Sequence, residues 1–188
     1  MQKLFMPVTL AALMMLPLAG AAAAQAVSDI PEGGYLISDN IEALPAPVRD
    51  KRDQLIAAAE SGDIAQLKLI FDAELAPPTV SFGAPDDPIA HLKAESGDGE
   101  GIEILAILRN VLAAPYAAMD GGDGDPIYIW PYFAAMGDLS TLTPGQLVDA
   151  YRITGHQKFQ QQLAFGGWIY WRVSMTVRGE LQAFVAGD

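Results

Sequence analysis

The chain has 188 residues, 51% of them hydrophobic and none of them cysteine, and Asp and Glu outnumber Lys and Arg by 23 to 11. A net charge of −12 argues against nucleic acid and anionic lipid surfaces as partners, because phosphate is repelled at every approach. Without cysteine there are no disulfides, thiolate metal sites, Cys nucleophiles or lipid attachment at Cys, so stability must come from a hydrophobic core.

Residues 1–26 read as a secretory signal peptide: Lys3, an apolar run from Leu4 to Leu18 interrupted by Pro7, Thr9 and Pro17, then small residues ending in Ala24-Gln25-Ala26. The run is shorter than the roughly 20 apolar residues a bilayer span needs. Cleavage after Ala26 is therefore expected, giving a periplasmic or secreted mature protein without a transmembrane span. Residues 27–47 mix Gly and Pro with few periodic apolar positions and are expected to form an extended leader. A single domain is expected over 48–188.

A first helix starts near Val48, with Leu55, Ile56 and Ala59 on one side, and ends at Ser61-Gly62-Asp63. In the second, Ile64, Leu67, Ile70 and Phe71 recur at helical spacing, and Pro77-Pro78 forces a stop. Pro88 opens a short third helix that runs to Ser96. Gly101 to Tyr116 is expected to be the central core helix, since Ile102, Ile104, Leu105, Ile107, Leu108, Val111 and Leu112 cover more than one face.

The Gly/Asp-rich segment 120–126 ends that pattern, and Ile127 to Phe133 has the aromatic and β-branched composition of a strand, with Pro131 at an edge, bulge or end. Thr143-Pro144-Gly145-Gln146 joins an N-cap, a first-turn Pro and a capping-box Gln, a strong helix start. That helix is expected to close at Gly155, with a further short helix through Phe159 and Leu163. Trp168 to Val177 alternates as a strand and pairs with Leu181, Ala183 and Val185. An odd loop at Arg178-Gly179-Glu180 would pair Val177 with Leu181, Met175 with Ala183 and Val173 with Val185. The expected class is α+β: a helical N-terminal half packed on a small C-terminal antiparallel sheet of about three strands.

Three groups of residues could carry chemistry. Tyr128, Trp130 and Tyr132 share one face of their strand, and Trp168, Tyr170 and Arg172 one face of theirs. Adjacent strands would make them a stacking platform for sugar rings or a peptide, with Arg172 holding an anion. Asp120, Asp123 and Asp125 could supply oxygen ligands to Ca²⁺, although their spacing is not that of an EF-hand. His91 and His156 are the only histidines. There is no Gly-x-Ser-x-Gly elbow and no His-Glu-x-x-His pair, so hydrolysis would need one of these histidines with a carboxylate.

The pentapeptide Ala-Glu-Ser-Gly-Asp occurs at 59–63 and again 35 residues later at 94–98. That offset is near the ankyrin period of about 33 residues, and the segment 55–112 resembles ankyrin helix-turn-helix units, though too few for a stack. Over most of the chain Asp86-Asp87-Pro88-Ile89, Ser96 to Leu108, Tyr128-Ile-Trp-Pro-Tyr-Phe-Ala134, Leu142-Thr-Pro-Gly-Gln146 and Phe184-Val-Ala-Gly-Asp188 resemble a family of small exported alphaproteobacterial proteins with no assigned function. The resemblance implies an exported single domain and brings no catalytic residue. The first expectation is a non-catalytic module binding a protein or envelope component through the aromatic face or the acidic loops. Alternatives are an envelope hydrolase using His and a carboxylate, and an ankyrin-like protein-binding module.

Overall fold

The computed structural model describes residues 30–31, 33–122 and 124–187. The expected signal peptide at 1–26 lies outside them. Five strands, β1 (Tyr35–Ser38), β2 (Tyr116–Asp120), β3 (Pro126–Trp130), β4 (Arg172–Thr176) and β5 (Leu181–Val185), form one antiparallel sheet in sequential order. Helices α1 (Ala46–Glu60), α2 (Ala65–Asp72), α3 (Pro88–Glu95) and α4 (Ile102–Leu112) lie between β1 and β2, and α5 (Pro144–Phe165) lies between β3 and β4. The class is α+β, but the sheet has five strands rather than three, and its helices are not confined to the N-terminal half.

Both additional strands come from segments read otherwise in the sequence. β1 falls in the expected leader, where it pairs with β2 from Tyr35 opposite Met119 to Ser38 opposite Tyr116. β2 falls at the end of the expected core helix. Pro115 cannot extend a helix and disfavours the helical conformation in the residue before it, so α4 ends at Leu112 and Tyr116 starts a strand.

α1 packs on α4 and α2, and α4 packs on β4. The helix-facing side of the sheet carries Ala118, Tyr128, Met175 and Leu181 in one cross-strand row and Trp130, Val173 and Phe184 in the next, all buried. Burying these large side chains is the main favourable term of the fold, at about 1.5–3 kcal/mol for each fully covered aliphatic or Phe side chain. The opposite face carries Tyr35, Ile37, Met119, Ile127 and Ile129, none of them buried.

The C-terminal hairpin differs from its expected register. Met175 faces Leu181, Ser174 faces Ala183, Val173 faces Phe184 and Arg172 faces Val185, so Gln182 is the extra residue of a bulge. The outer edge of β5 at the bulge is met by a residue far away in sequence: the Thr79 N–H donates to the Gln182 carbonyl at 2.9 Å, and the Phe184 N–H donates to the Thr79 carbonyl at 2.9 Å. Trp168 to Trp171 stays outside the ladder because the buried Gln162 side chain accepts from the amides of Ile169 and Tyr170, at 2.6 and 3.0 Å.

At α5 the expected capping box is present, and Gly155, at the non-helical φ 71° and ψ 162°, closes a first helical segment and separates it from a second through Phe159 and Leu163, as expected. The two Ser-Gly-Asp segments build different turns. At the first, Gly62 sits at φ +69° and Asp63 accepts from the Ala65 N–H. At the second, Asp98 accepts from the N–H groups of Glu100, Gly101, Ile102 and Glu103 and from the Ser96 hydroxyl, at 2.6–3.3 Å. One carboxylate thus takes up the N–H groups of the N-cap Gly101 and of the first two residues of α4.

Partial desolvation pushes the Asp98 carboxyl up, but the bonds from Glu103, Glu100, Gly101 and Ser96 together outweigh it and hold the pKa at about 2. A depressed folded-state pKa contributes stability above the unfolded value of about 3.8, and that contribution is lost as pH falls through about 2. Asp98→Asn should therefore lower the thermal midpoint at neutral pH, with the gap from wild type closing between about pH 4 and pH 2. Melting curves across that range check it, and a gap independent of pH would contradict it.

Candidate binding cleft

The structure separates the six aromatic-platform residues. Tyr128, Trp130, Tyr132 and Trp168 are 2%, 0%, 2% and 7% exposed, so they belong to the core rather than to an open stacking surface. Tyr128 and Trp130 occupy the helix-facing side of β3, Tyr132 turns away after Pro131, and Trp168 stacks on Phe133 at 5.0 Å. Tyr170 is half-buried under Lys158, whose Nζ lies 5.4 Å from the ring. Arg172 donates to the Gly187 carbonyl at 2.7 Å and lies over the Phe82 ring.

Burial, with Tyr116 nearby, pushes the Tyr128 hydroxyl up to about 12, and burial with Asp149 does the same for Tyr132. Tyr128 Oη and Trp130 Nε1 have no hydrogen-bond partner among the described residues. An unsatisfied buried hydroxyl costs about 1–3 kcal/mol, so Tyr128→Phe should leave stability unchanged or raise it by up to about 1 kcal/mol. A clear loss in chemical denaturation would mean that the hydroxyl has a partner.

Of the acidic-loop residues, Asp123 lies outside the described residues. Asp120 accepts from the Gly122 N–H at 2.9 Å, closing a turn, and Asp125 pairs with Arg178 at 3.3 Å. No group of three His, Cys, Asp or Glu suited to a metal occurs among the described residues. His91 is half-buried on α3, and His156 is exposed beside the Tyr151 ring at 5.3 Å. Neither lines the clefts described next.

The chain between α2 and α3 forms those clefts. Pro77 and Pro78 cannot continue a helix, so Glu74 to Pro78 crosses the surface as a strap. Both ends are fixed. The Glu74 carboxylate, 5% exposed, pairs with Lys51 of α1 at 2.6 Å and accepts from the Leu181 N–H at 3.1 Å, and Thr79 is bridged to β5. On the far side Asp87 caps α3 through the amides of Ile89 and Ala90, with Pro88 in the first turn.

One cleft of about 470 Å³ lies between α2, the strap and the start of α3, with Phe71, Pro77, Pro78, Pro88 and Ile89 as its apolar surface. Its charged lining is Asp72, Glu74, Asp86 and Asp87 against Lys68 alone. A second cleft of about 380 Å³ lies between the strap and the β4–β5 turn, lined by Leu75, Thr176, Glu180 and Gln182 and sharing Glu74 and Pro77 with the first. A third, of about 290 Å³, runs between α1 and α2 beside Leu69. Leu75 is 93% exposed and lines the second cleft.

The first cleft offers carboxylates, one ammonium and ring surfaces, a lining that can hold a ligand but brings no histidine or hydroxyl nucleophile. Leu75 continues the helical period of Leu67 and Phe71, so its exposure was not legible from periodicity; the sequence signals were the stop at Pro77-Pro78 and the cap at Asp87-Pro88. Among the described residues no helix is long and apolar enough to cross a membrane. Compared with family models, curated proteins and solved structures, the chain matches none.

Proposed function

We propose that this chain is a non-catalytic binding domain of the periplasm or the secreted space, taking its partner at the strap between α2 and α3. The observation that carries the reading is the pair of contiguous clefts on either side of a fixed strap that presents Leu75 to solvent. A concave apolar surface with a few convergent polar groups is the usual form of a binding site. The export part of the reading rests on the sequence of residues 1–26.

Glu74 spends both oxygens inside the fold, so it shapes the clefts rather than reacting in them. The test is shift mapping of the isotopically labelled chain titrated with extended peptides of varied composition. Perturbed amides should cluster in 68–89 and 176–182. Perturbation confined to the His91 and His156 neighbourhoods, with cleavage of the peptide, would overturn the reading in favour of a hydrolase.

A further inference from the structure

The surface around the strap also indicates the chemistry of its occupant. Of the first cleft's four carboxylates, Asp72 is closed on Lys68 at 2.6 Å and Glu74 on Lys51 at 2.6 Å, which leaves Asp86 and Asp87 as its exposed acidic groups outside those pairs. Glu180 adds a further carboxylate at the second cleft, where Arg178 holds it at 3.3 Å. Beneath this rim the floor is made of rings and branched carbon. An anionic occupant would meet like charge both at the rim and from a chain of net charge −12. A neutral apolar occupant would desolvate carboxylates without giving them a partner, which is costly. Lys and Arg meet both demands, because the methylene stem lies along apolar surface while the charged head reaches the rim.

We infer that the occupant is a basic linear segment of a partner protein, in which Lys or Arg alternates with aliphatic residues, docking across Leu75 with its cations toward Asp86 and Asp87. This rests on the binding reading above and adds the partner's chemistry to it. The carboxylate rim steers the encounter and sets selectivity, and the apolar floor and Leu75 supply contact area. Asp86 and Leu75 are both exposed, so each can be replaced without opening the core.

The experiment is fluorescence anisotropy of the full chain with three short labelled peptides of one length, alternating Leu with Lys, with Gln or with Glu. The Lys peptide should bind at least about tenfold more tightly than the Gln peptide and weaken as salt is raised, and the Glu peptide should not bind. Asp86→Lys and Leu75→Ser should each weaken the Lys peptide by about three- to tenfold, with circular dichroism unchanged. If the Gln peptide binds as tightly as the Lys peptide and still responds to Leu75→Ser, the charge inference is overturned while the binding reading stands. If the Lys peptide binds but ignores both substitutions, its attraction is general acidity and the docking site is overturned. If no peptide binds, both the inference and the reading on which it rests fail.

Discussion

Glu74→Ala should cost about 3–5 kcal/mol of folding stability, the range for removing one partner of a buried ion pair. Lys51 and Glu74 side chains are 15% and 5% exposed and meet at 2.6 Å, so the substitution leaves an ammonium with little water and no counter-charge. It also removes the acceptor of the Leu181 N–H, freeing the start of β5 from the strap. Two further variants separate these effects. Glu74→Gln keeps one acceptor, which serves either the Leu181 N–H or Lys51 but not both, and loses the charge, so it should fall between wild type and Glu74→Ala. Combining Lys51→Met with Glu74→Gln removes the uncompensated charge and should recover most of the loss, because desolvating an ion pair offsets much of its attraction. Urea unfolding with unchanged slope checks the series, and equal losses in all three would contradict the pairing.

The second large effect is expected at Gly179, in the turn joining β4 to β5. It sits at φ +77°, and a Cβ there would press on the carbonyl of Pro47 at the start of α1. Backbone resists displacement more than the end of a flexible side chain does. Gly179→Ala therefore adds left-handed strain to overpacking and should cost roughly 3 kcal/mol. Gly62→Ala is the matched control: φ is +69° and nothing lies within 4 Å of the added carbon, so only the conformational cost of about 1–2 kcal/mol remains. Equal thermal shifts for the two variants would mean that the β4–β5 turn does not press on α1. The contact bears on the cleft, because that turn and the strap wall the same space.

What the sequence made legible was the local chemistry. Thr143, Pro144 and Gln146 specify the start of α5 within four residues, and Asp87 with Pro88 does the same for α3, because these caps close through neighbouring side chains. What it concealed depended on distant partners. β1 is only four residues long, between Gly33-Gly34 and the Asn40 cap, and although Tyr35 and Ile37 favour a strand, its partner about eighty residues on is Ala-rich and carries little strand preference. The hairpin register was hidden because the bulge at Gln182 sits where Thr79, from another part of the chain, bonds to the edge of β5, a contact that period-two alternation does not encode.

The period-two pattern placed Tyr128 and Trp130 together on one face of β3, and they do share it. It could not say which face the helices cover, because Ile127 and Ile129 make the opposite face apolar as well. The binding cleft was less legible still, since it is assembled from the end of α2, a Pro-Pro strap, the cap of α3 and a β-turn. Each of these was visible in the sequence as a local signal, but nothing there placed them side by side.

Docking at the strap is tested most directly by site-specific photo-crosslinking to the Lys/Leu peptide. A photoreactive residue is placed in turn at Leu75 on the strap, at Val148 on α5 and at Ile37 on the open sheet face, positions that are 93%, 67% and 38% exposed. The account predicts adducts from position 75, suppressed by excess unlabelled peptide, and background at the other two. Adducts concentrated at position 37 or 148, with position 75 at background, would contradict it.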